Sequence, residues 1–157
     1  MSWVIRRATS ADARLLGEHR GNVWRDAGRH TDAEVLPQIP VWAAWLADAI
    51  EGDSYVAWIA ADARGAVVGS AGLLLRPTMP RPGFPADRDG RVHSVYVVPQ
   101  LRRRGIARAM MAELIGFART SSLIQLVLHP SDEGRPLYLD LGFVPIEEMA
   151  LRFPAPA

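Results

Sequence analysis

Cysteine and lysine are both missing from this sequence, and each absence excludes particular chemistry. None of the 157 residues is Cys, so disulfides, thiolate nucleophiles and Cys-based zinc sites are excluded. All 18 basic residues are Arg, which excludes a Schiff-base lysine and the lysine of a P-loop nucleotide site. A chain without cysteine fits a reducing compartment, and we expect this protein in the cytoplasm.

Long apolar segments and an excess of charge are missing too. No segment approaches ~20 uninterrupted apolar residues, and residues 1–7 lack the apolar stretch of a signal peptide. We therefore expect neither membrane insertion nor export. The net charge of +1 is too small for a nucleic-acid-binding face, so we expect no nucleic-acid partner. The four histidines show no metal-ligand spacing, and we expect no metal.

Hydrophobic residues make up 49% of the chain, which at this length predicts one domain over residues 1–157. Periodicity and turn residues predict this order of elements: a strand over 4–6, a helix from a capping box at 9–12 to about 27, a loop over 28–36, a second helix after Pro37 and Pro40, a hairpin of 54–61 and 66–75, a loop over 76–90, a strand over 91–98, a helix over 104–119, a strand over 123–128, a short helix over 136–141 and a last strand over 143–153. The succession of strand, helix and strand over 91–128 predicts a crossover between two parallel strands of one sheet.

A basic loop, Pro99–Arg108, lies between the predicted buried strand and the helix that follows it. Backbone N–H groups at a helix start, together with the positive end of the helix dipole, bind phosphate groups. Gly105 lets the backbone approach such a group closely. The loop therefore predicts a pyrophosphate site, with a solvated run of arginines as the alternative.

Two motifs in the second half of the chain resemble those of the GNAT N-acetyltransferase superfamily, which uses acetyl-coenzyme A. Arg102–Ala107 resembles the family's pyrophosphate loop, Arg/Gln-x-x-Gly-x-Gly/Ala, and it follows Val97–Pro99 as in the family. Ser131–Phe143 is similar to the second signature, with its Tyr, Gly and Phe in register. Ser131 and Gly134 depart from that signature, which has Asn and Ala there.

The resemblance implies an α/β (α+β) fold with a mixed, centrally splayed sheet of about six to seven strands and about four helices. A splay after Val97 would open a V-shaped cleft in which the pantetheine arm of acetyl-coenzyme A pairs with strand backbone. A main-chain N–H near Val97 or Val98 would polarise the thioester carbonyl. The cofactor-binding residues so implied are Val97, Val98, Arg102, Arg103, Arg104, Gly105, Ile106, Ala107, Arg108 and Ser131.

The resemblance also implies a general acid, Tyr138, acting on the departing thiolate. Since tyrosine has a pKa of ~10 and a thiol ~8.5, a hydrogen bond describes this role better than full proton transfer. An amine with a pKa of ~10.4 needs a base, and His93 is the candidate with a suitable unperturbed pKa. Strand alternation predicts His93 on the same face as Val97. Glu18 and Asp26, on the first helix, are reserve candidates.

The acceptor is the least determined part of the function. Four tryptophans and the loop over 76–90 are candidates to line a site for an apolar or aromatic amine; the tryptophans are Trp24, Trp42, Trp45 and Trp58. A small-molecule amine is the favoured acceptor, and a protein N-terminus or lysine is the alternative. A non-catalytic acyl-coenzyme A sensor and formation of a homodimer also stay open.

Overall fold

The structure, a computed structural model, describes residues 3–84 and 86–154 and contains a mixed sheet with helices on both faces. Its elements are β1 (Val4–Arg7), α1 (Ala13–Asp26), α2 (Asp32–Val35), α3 (Gln38–Glu51), β2 (Tyr55–Ala61), β3 (Val67–Pro77), β4 (Arg88–Val97), α4 (Ile106–Thr120), β5 (Leu126–Val127) and α5 (Arg135–Asp140). Within the described residues, no helix is both long and apolar enough to cross a membrane.

The strands lie side by side in chain order, β1 to β5. Each of the first three strands pairs antiparallel with the next, whereas β4 and β5 pair parallel. A parallel neighbour needs a crossover, and α4 supplies it over one face of the sheet. The mixed sheet and the predicted crossover are thus confirmed.

Apolar side chains fill both faces of the sheet, which divides the core in two. The α4 face includes Trp58, Leu73, Ile106, Met110 and Leu114. The opposite face, under α1 and α3, includes Leu16, Leu46, Tyr55 and Ile59. Since β2 is buried on both faces, its alternate side chains join the two halves of the core.

Capping interactions explain where the first helices begin. The backbone N–H of Thr9 donates to Asp12 Oδ2 at 2.9 Å, which is the predicted capping box; it caps one 3-10 turn, Ser10–Asp12, that leads directly into α1. The loop predicted over 28–36 contains one short helix, α2, because Thr31 and Glu34 form a second capping box there.

The end of the chain differs from the prediction. Five strands are present in the described part of the chain, rather than six to seven, and five helices rather than about four. Residues 143–153 were predicted to be a strand, but they form no ladder. The neighbouring β5 is only two residues long, so it offers few backbone partners, and Pro145 lacks a donor. Apolar residues of this segment are therefore exposed, Met149 and Leu151 among them.

A β-bulge in β4 changes the faces on which its side chains lie. Gly72 of β3 pairs with His93, but Ser70 pairs with Tyr96, so β4 holds one extra residue between these pairs. Ser94 takes a left-handed conformation there, with φ of 52°. The prediction that His93 and Val97 share a face is therefore wrong: Val97 packs on the α4 side, whereas His93 shares the α1 side with Tyr96.

Candidate active site

The site begins where β4 and β5 separate. β5 pairs with β4 only at Gly90 and Arg91, whereas β4 continues to Val97. The N–H of Val98 donates to the carbonyl oxygen of Val68 on the β3 side, at 3.0 Å. Because backbone groups alternate along a strand, the N–H of Val97 points to the opposite edge, beyond the end of β5. Of the two predicted main-chain donors, the one at Val98 is therefore used in the sheet and the one at Val97 faces the opening.

A cleft with a cavity volume of about 580 Å³ lies at this opening. The end of α1, the end of β4, the basic loop, the start of α4 and α5 form its walls. The cleft brings together these predicted site residues: Val97, Arg102, Arg103, Gly105, Ile106, Ala107, Arg108, Ser131 and Tyr138. Val98, Arg104 and His93 are not among its lining residues.

The start of α4 has the geometry of an anion site. Gly105 precedes the helix in a left-handed conformation, with φ of 86°, which favours glycine. A Cβ added to Gly105 would meet nothing within 4 Å, so the space before the first turn is open. The first-turn N–H groups have no partner within the helix. These residues therefore fit the pyrophosphate of a coenzyme A ester.

Arg102 has a positioning role that its place in the motif did not reveal. Its Nε donates to the carbonyl oxygen of Val97 at 3.0 Å, and its Nη2 pairs with Asp26 of α1. Its guanidinium also lies over the ring of Tyr96, 5.8 Å from the centroid. Arg102 thus joins the basic loop to β4 and α1, and Asp26 is held in an ion pair.

Ser131 and Gly134, which depart from the second signature, fit one another. The Oγ of Ser131 accepts a hydrogen bond from the N–H of Gly134 at 3.1 Å, immediately before α5. A Cβ on Gly134 would lie 3.1 Å from that Oγ and 3.3 Å from the ring of Tyr138. The two departures therefore belong to one local arrangement. The Ser131 hydroxyl accepts a hydrogen bond from a backbone N–H at the start of α5, and the absence of a side chain at Gly134 leaves room for that hydroxyl.

Tyr138 projects from α5 as a half-buried side chain. Its ring meets that of Phe143 edge to face, with the centroids 5.8 Å apart. Near it, an ion pair between Arg108 and Asp140 joins α4 to α5. Burial raises the pKa of Tyr138 above its ordinary value of 10.0. Its hydroxyl is therefore protonated at neutral pH and is able to donate a hydrogen bond.

The family follows from a comparison with known proteins. A profile of the acetyltransferase (GNAT) family matches residues 22–143. The chain belongs to the GNAT acetyltransferase family. The matched region contains β4, the basic loop, α4 and α5, which form most of the cleft. The resemblance drawn from the two motifs is confirmed.

Two curated relatives match this GNAT protein in part. It is 32% identical over 79 residues to a glucosamine 6-phosphate N-acetyltransferase of Trypanosoma brucei brucei, which covers 50% of this chain and 52% of that protein. It is 29% identical over 111 residues to an uncharacterised protein of Mycobacterium leprae, which covers 71% of this chain and 28% of that protein. The matches thus span about half and about a quarter of these relatives.

Solved structures match almost the whole chain. A GCN5-related N-acetyltransferase from Ralstonia eutropha JMP134 has a TM-score of 0.86 and 27% identity, over 97% of this chain and 99% of that chain. A predicted acetyltransferase from Clostridium acetobutylicum, solved with acetyl-CoA, also has a TM-score of 0.86, with 22% identity over 97% and 96% of the two chains. The GNAT fold predicted from the sequence is therefore confirmed.

His93 lies beside the GNAT cleft rather than in its wall. Burial, together with the charges of Arg20, Arg91, Arg76 and His129, lowers its pKa to about 4. Its imidazole is therefore neutral at pH 7, with one ring nitrogen able to accept a proton, although it is a weaker base than an exposed histidine. Such a group is in the right protonation state for a base.

The reserve candidates for the base are each held in an ion pair. Glu18 pairs with Arg14 on the surface of α1 at 3.2 Å, and Asp26 is bound by Arg102. By contrast, His93 forms no salt bridge with any residue in the described part of the chain.

Sequence reasoning missed one arrangement beside the cleft. The guanidinium of Arg20 lies 5.7 Å from the ring centroid of Trp24 and 5.4 Å from that of Trp42. The i, i+4 spacing of Arg20 and Trp24 on α1 was the available signal. By contrast, Trp58 is buried in the core, and Trp45 is half exposed against Tyr55.

Proposed function

We propose that this protein transfers the acetyl group of acetyl-coenzyme A directly to the primary amine of a small molecule. The observation that carries the proposal is the juxtaposition, in one cleft, of the outward N–H of Val97, the open helix start at Gly105 and Tyr138. Membership of the GNAT acetyltransferase family supports the reaction class.

Residues in and beside the cleft have distinct roles in this reaction. The amides that follow Gly105 hold the pyrophosphate, and the N–H of Val97 donates to the thioester oxygen, where negative charge develops. The amine nitrogen bonds to the carbonyl carbon while the carbon–sulfur bond breaks, which yields an amide and a thiol. Tyr138 donates a hydrogen bond to the departing sulfur. The proton lost by the amine passes through His93 and is balanced by the proton that the thiolate gains.

A small acceptor is supported by the relatives. The trypanosomal protein is a glucosamine 6-phosphate N-acetyltransferase, and it matches half of this chain. We further propose that residues 1–157 act as one domain in the cytoplasm, in keeping with the absence of cysteine. Nucleic acid is not a partner in this proposal.

The test is a thiol-release assay with acetyl-coenzyme A and a panel of amines. The panel contains amino sugars, amino acids, aromatic amines and lysine-containing or N-terminal peptides. We expect release that depends on a small amine. Thiol release only with peptides would mean that the acceptor is a protein N-terminus or lysine rather than a small molecule. Tight binding of acetyl-coenzyme A with no thiol release for any amine would indicate a sensor instead of an enzyme.

A further inference from the structure

Arg20 is a partly buried cation held in a preformed position. Its guanidinium lies over the indole rings of both Trp24 and Trp42, and Nη1 donates to Ser94 Oγ at 3.4 Å. Indole rings attract a guanidinium and limit its motion. Burial lowers the pKa of Arg20, but the side chain stays charged at any physiological pH. A positive charge is therefore fixed at one place beside β4.

No acidic partner neutralises this charge within residues 3–84 and 86–154. Five other arginines of the described chain pair with an aspartate: Arg6, Arg25, Arg76, Arg102 and Arg108. Arg20 has no such ion pair, and its one hydrogen bond there, to Ser94, is long. A charge removed from water without a counter-ion is costly, and a bound anion offsets that cost. The fork of N–H donors on Arg20 suits a carboxylate or a phosphate.

The position of Arg20 relates this charge to the cleft. Val23, one helical turn further along α1, lines the cleft, as does Val95, the residue after Ser94. The bulge holds Ser94 in a left-handed conformation that is strained for any residue with a side chain, and it places the Ser94 hydroxyl on Arg20. His93 is on the same face of β4, and the charge of Arg20 lowers its pKa. A group bound by Arg20 would thus lie beside the candidate base.

We propose that Arg20, aligned by Trp24, Trp42 and Ser94, binds an anionic group of the acceptor, so that the substrate is a small amine carrying a carboxylate or a phosphate. This inference rests on the proposed acetyltransferase function and narrows it to a class of acceptor. Arg20 acts as a specificity-determining residue: it holds the acceptor and takes no part in bond making.

The first experiment compares matched acceptors that differ in one anionic group. Glucosamine 6-phosphate is compared with glucosamine, and an amino acid with its amide. We expect kcat/KM to be about 10- to 100-fold higher for the charged member of the preferred pair, the range for a hydrogen bond to a charged group. The pair that shows the difference identifies phosphate or carboxylate. Equal kcat/KM within both pairs would overturn the inference and leave the acetyltransferase function standing.

The second experiment changes Arg20. At pH ~8, where His93 is neutral with or without the charge of Arg20, Arg20→Gln should raise KM for the charged acceptor about 10- to 100-fold, with little change in kcat and little change in either constant for the neutral one. Arg20→Lys, which keeps the charge without the fork, should recover part of the affinity. Arg14→Gln is the matched control, since Arg14 lies on the exposed side of the same helix. An equal loss for charged and neutral acceptors would overturn the inference.

Binding provides a readout if no amine in either pair is acetylated, in which case the proposed function fails for these acceptors. Calorimetry then measures glucosamine 6-phosphate and the amino acid on the unmodified protein and on Arg20→Gln. Binding that Arg20→Gln abolishes and Arg14→Gln preserves would support the anion site alone. Absence of binding by both anionic probes would overturn it.

Discussion

Tyr138 illustrates how a single atom can be tested without disturbing its surroundings. Its ring packs on Phe143, and only its hydroxyl has a chemical role in the proposed reaction. Because burial raises its pKa, full transfer of its proton to a thiolate is less favourable than it would be in water. The hydroxyl is thus expected to act as a hydrogen-bond donor while charge develops on sulfur.

Tyr138→Phe keeps the ring and removes that donor. We expect kcat to fall ~100-fold, the lower end for general acid–base catalysis, with coenzyme A affinity nearly unchanged, because the interaction strengthens only in the transition state. Steady-state kinetics and calorimetry with coenzyme A measure the two effects. Full activity in Tyr138→Phe would show that the thiolate leaves without help and that Tyr138 only packs.

Gly105 can be tested against a glycine with the same local geometry. Gly105→Glu places bulk and negative charge where the pyrophosphate is expected, so coenzyme A affinity should fall by at least ~10-fold. Gly65→Glu is the matched control, because Gly65 has φ of 82° and also has nothing within 4 Å of an added Cβ. Both variants carry the strain of a left-handed non-glycine residue, so thermal unfolding should shift alike. Equal coenzyme A affinity in the two variants, measured by calorimetry, would contradict the anion site.

At the scale of an element, the bulge in β4 determines the environment of His93. The extra residue turns His93 to the α1 face, close enough to Arg20 for that charge to lower its pKa. From the unperturbed value we would expect the acidic limb of a rate profile near ~6.5. Because the pKa of His93 in the structure is lowered to about 4, we expect the acidic limb near that pH instead.

If His93 is the base, kcat/KM should rise with pH through an apparent pKa near 4 in the free enzyme. His93→Gln should abolish that limb while the circular dichroism spectrum is unchanged. A rise that follows only the ionisation of the amine, and that is identical in the two proteins, would exclude His93 and favour a chain of water molecules.

The elements also show which predictions were within reach of the sequence. Local signals identified the start of α1 and the helix α4 of the crossover, because each depends on neighbouring residues. The pairing of Arg102 with Asp26 depends on residues 76 positions apart, and no local pattern contains it. Residues 143–153 have the apolar content of a strand, but a ladder also needs a partner edge, and β5 provides only two residues.

At the scale of the whole molecule, a buried histidine connects α1 to the sheet. Nδ1 of His19 lies 2.8 Å from the Oγ of Ser70, both residues are buried, and the His19 ring packs on Tyr96 at 4.7 Å. Burial lowers the pKa of His19 from 6.5 to about 4. Between these two values the unfolded chain binds a proton that the folded chain does not, so stability falls as the pH falls.

Acidification should therefore destabilise the protein across the window from pH 6.5 to about 4. The contribution of His19 is roughly 2 kcal/mol by about pH 5, since a tenfold change in proton affinity corresponds to about 1.4 kcal/mol. Urea unfolding at neutral pH and at pH ~5 should show a smaller loss in His19→Gln than in the unmodified protein. His93, whose pKa is lowered in the same direction, should account for part of the loss that is left.

His30→Gln is the control for this measurement, because His30 is on the surface beside Glu34. It should show the full loss of stability between the two pH values. An equal loss in His19→Gln and His30→Gln would mean that His19 accepts its proton as readily in the folded protein as in the unfolded chain.

The bulge at Ser94 also affects how this chain is aligned with any relative whose β4 is regular. Because β4 holds one residue more than the facing stretch of β3, a relative with a regular β4 aligns correctly only when a one-residue gap is opened near position 94. Without that gap, every residue on the N-terminal side of the bulge is matched to a neighbour from the other face of the sheet. Against such a relative, transfer of a catalytic assignment to or from His93 requires a superposition of backbones, whereas Val97 and Gly105, beyond the bulge, are matched by sequence alone.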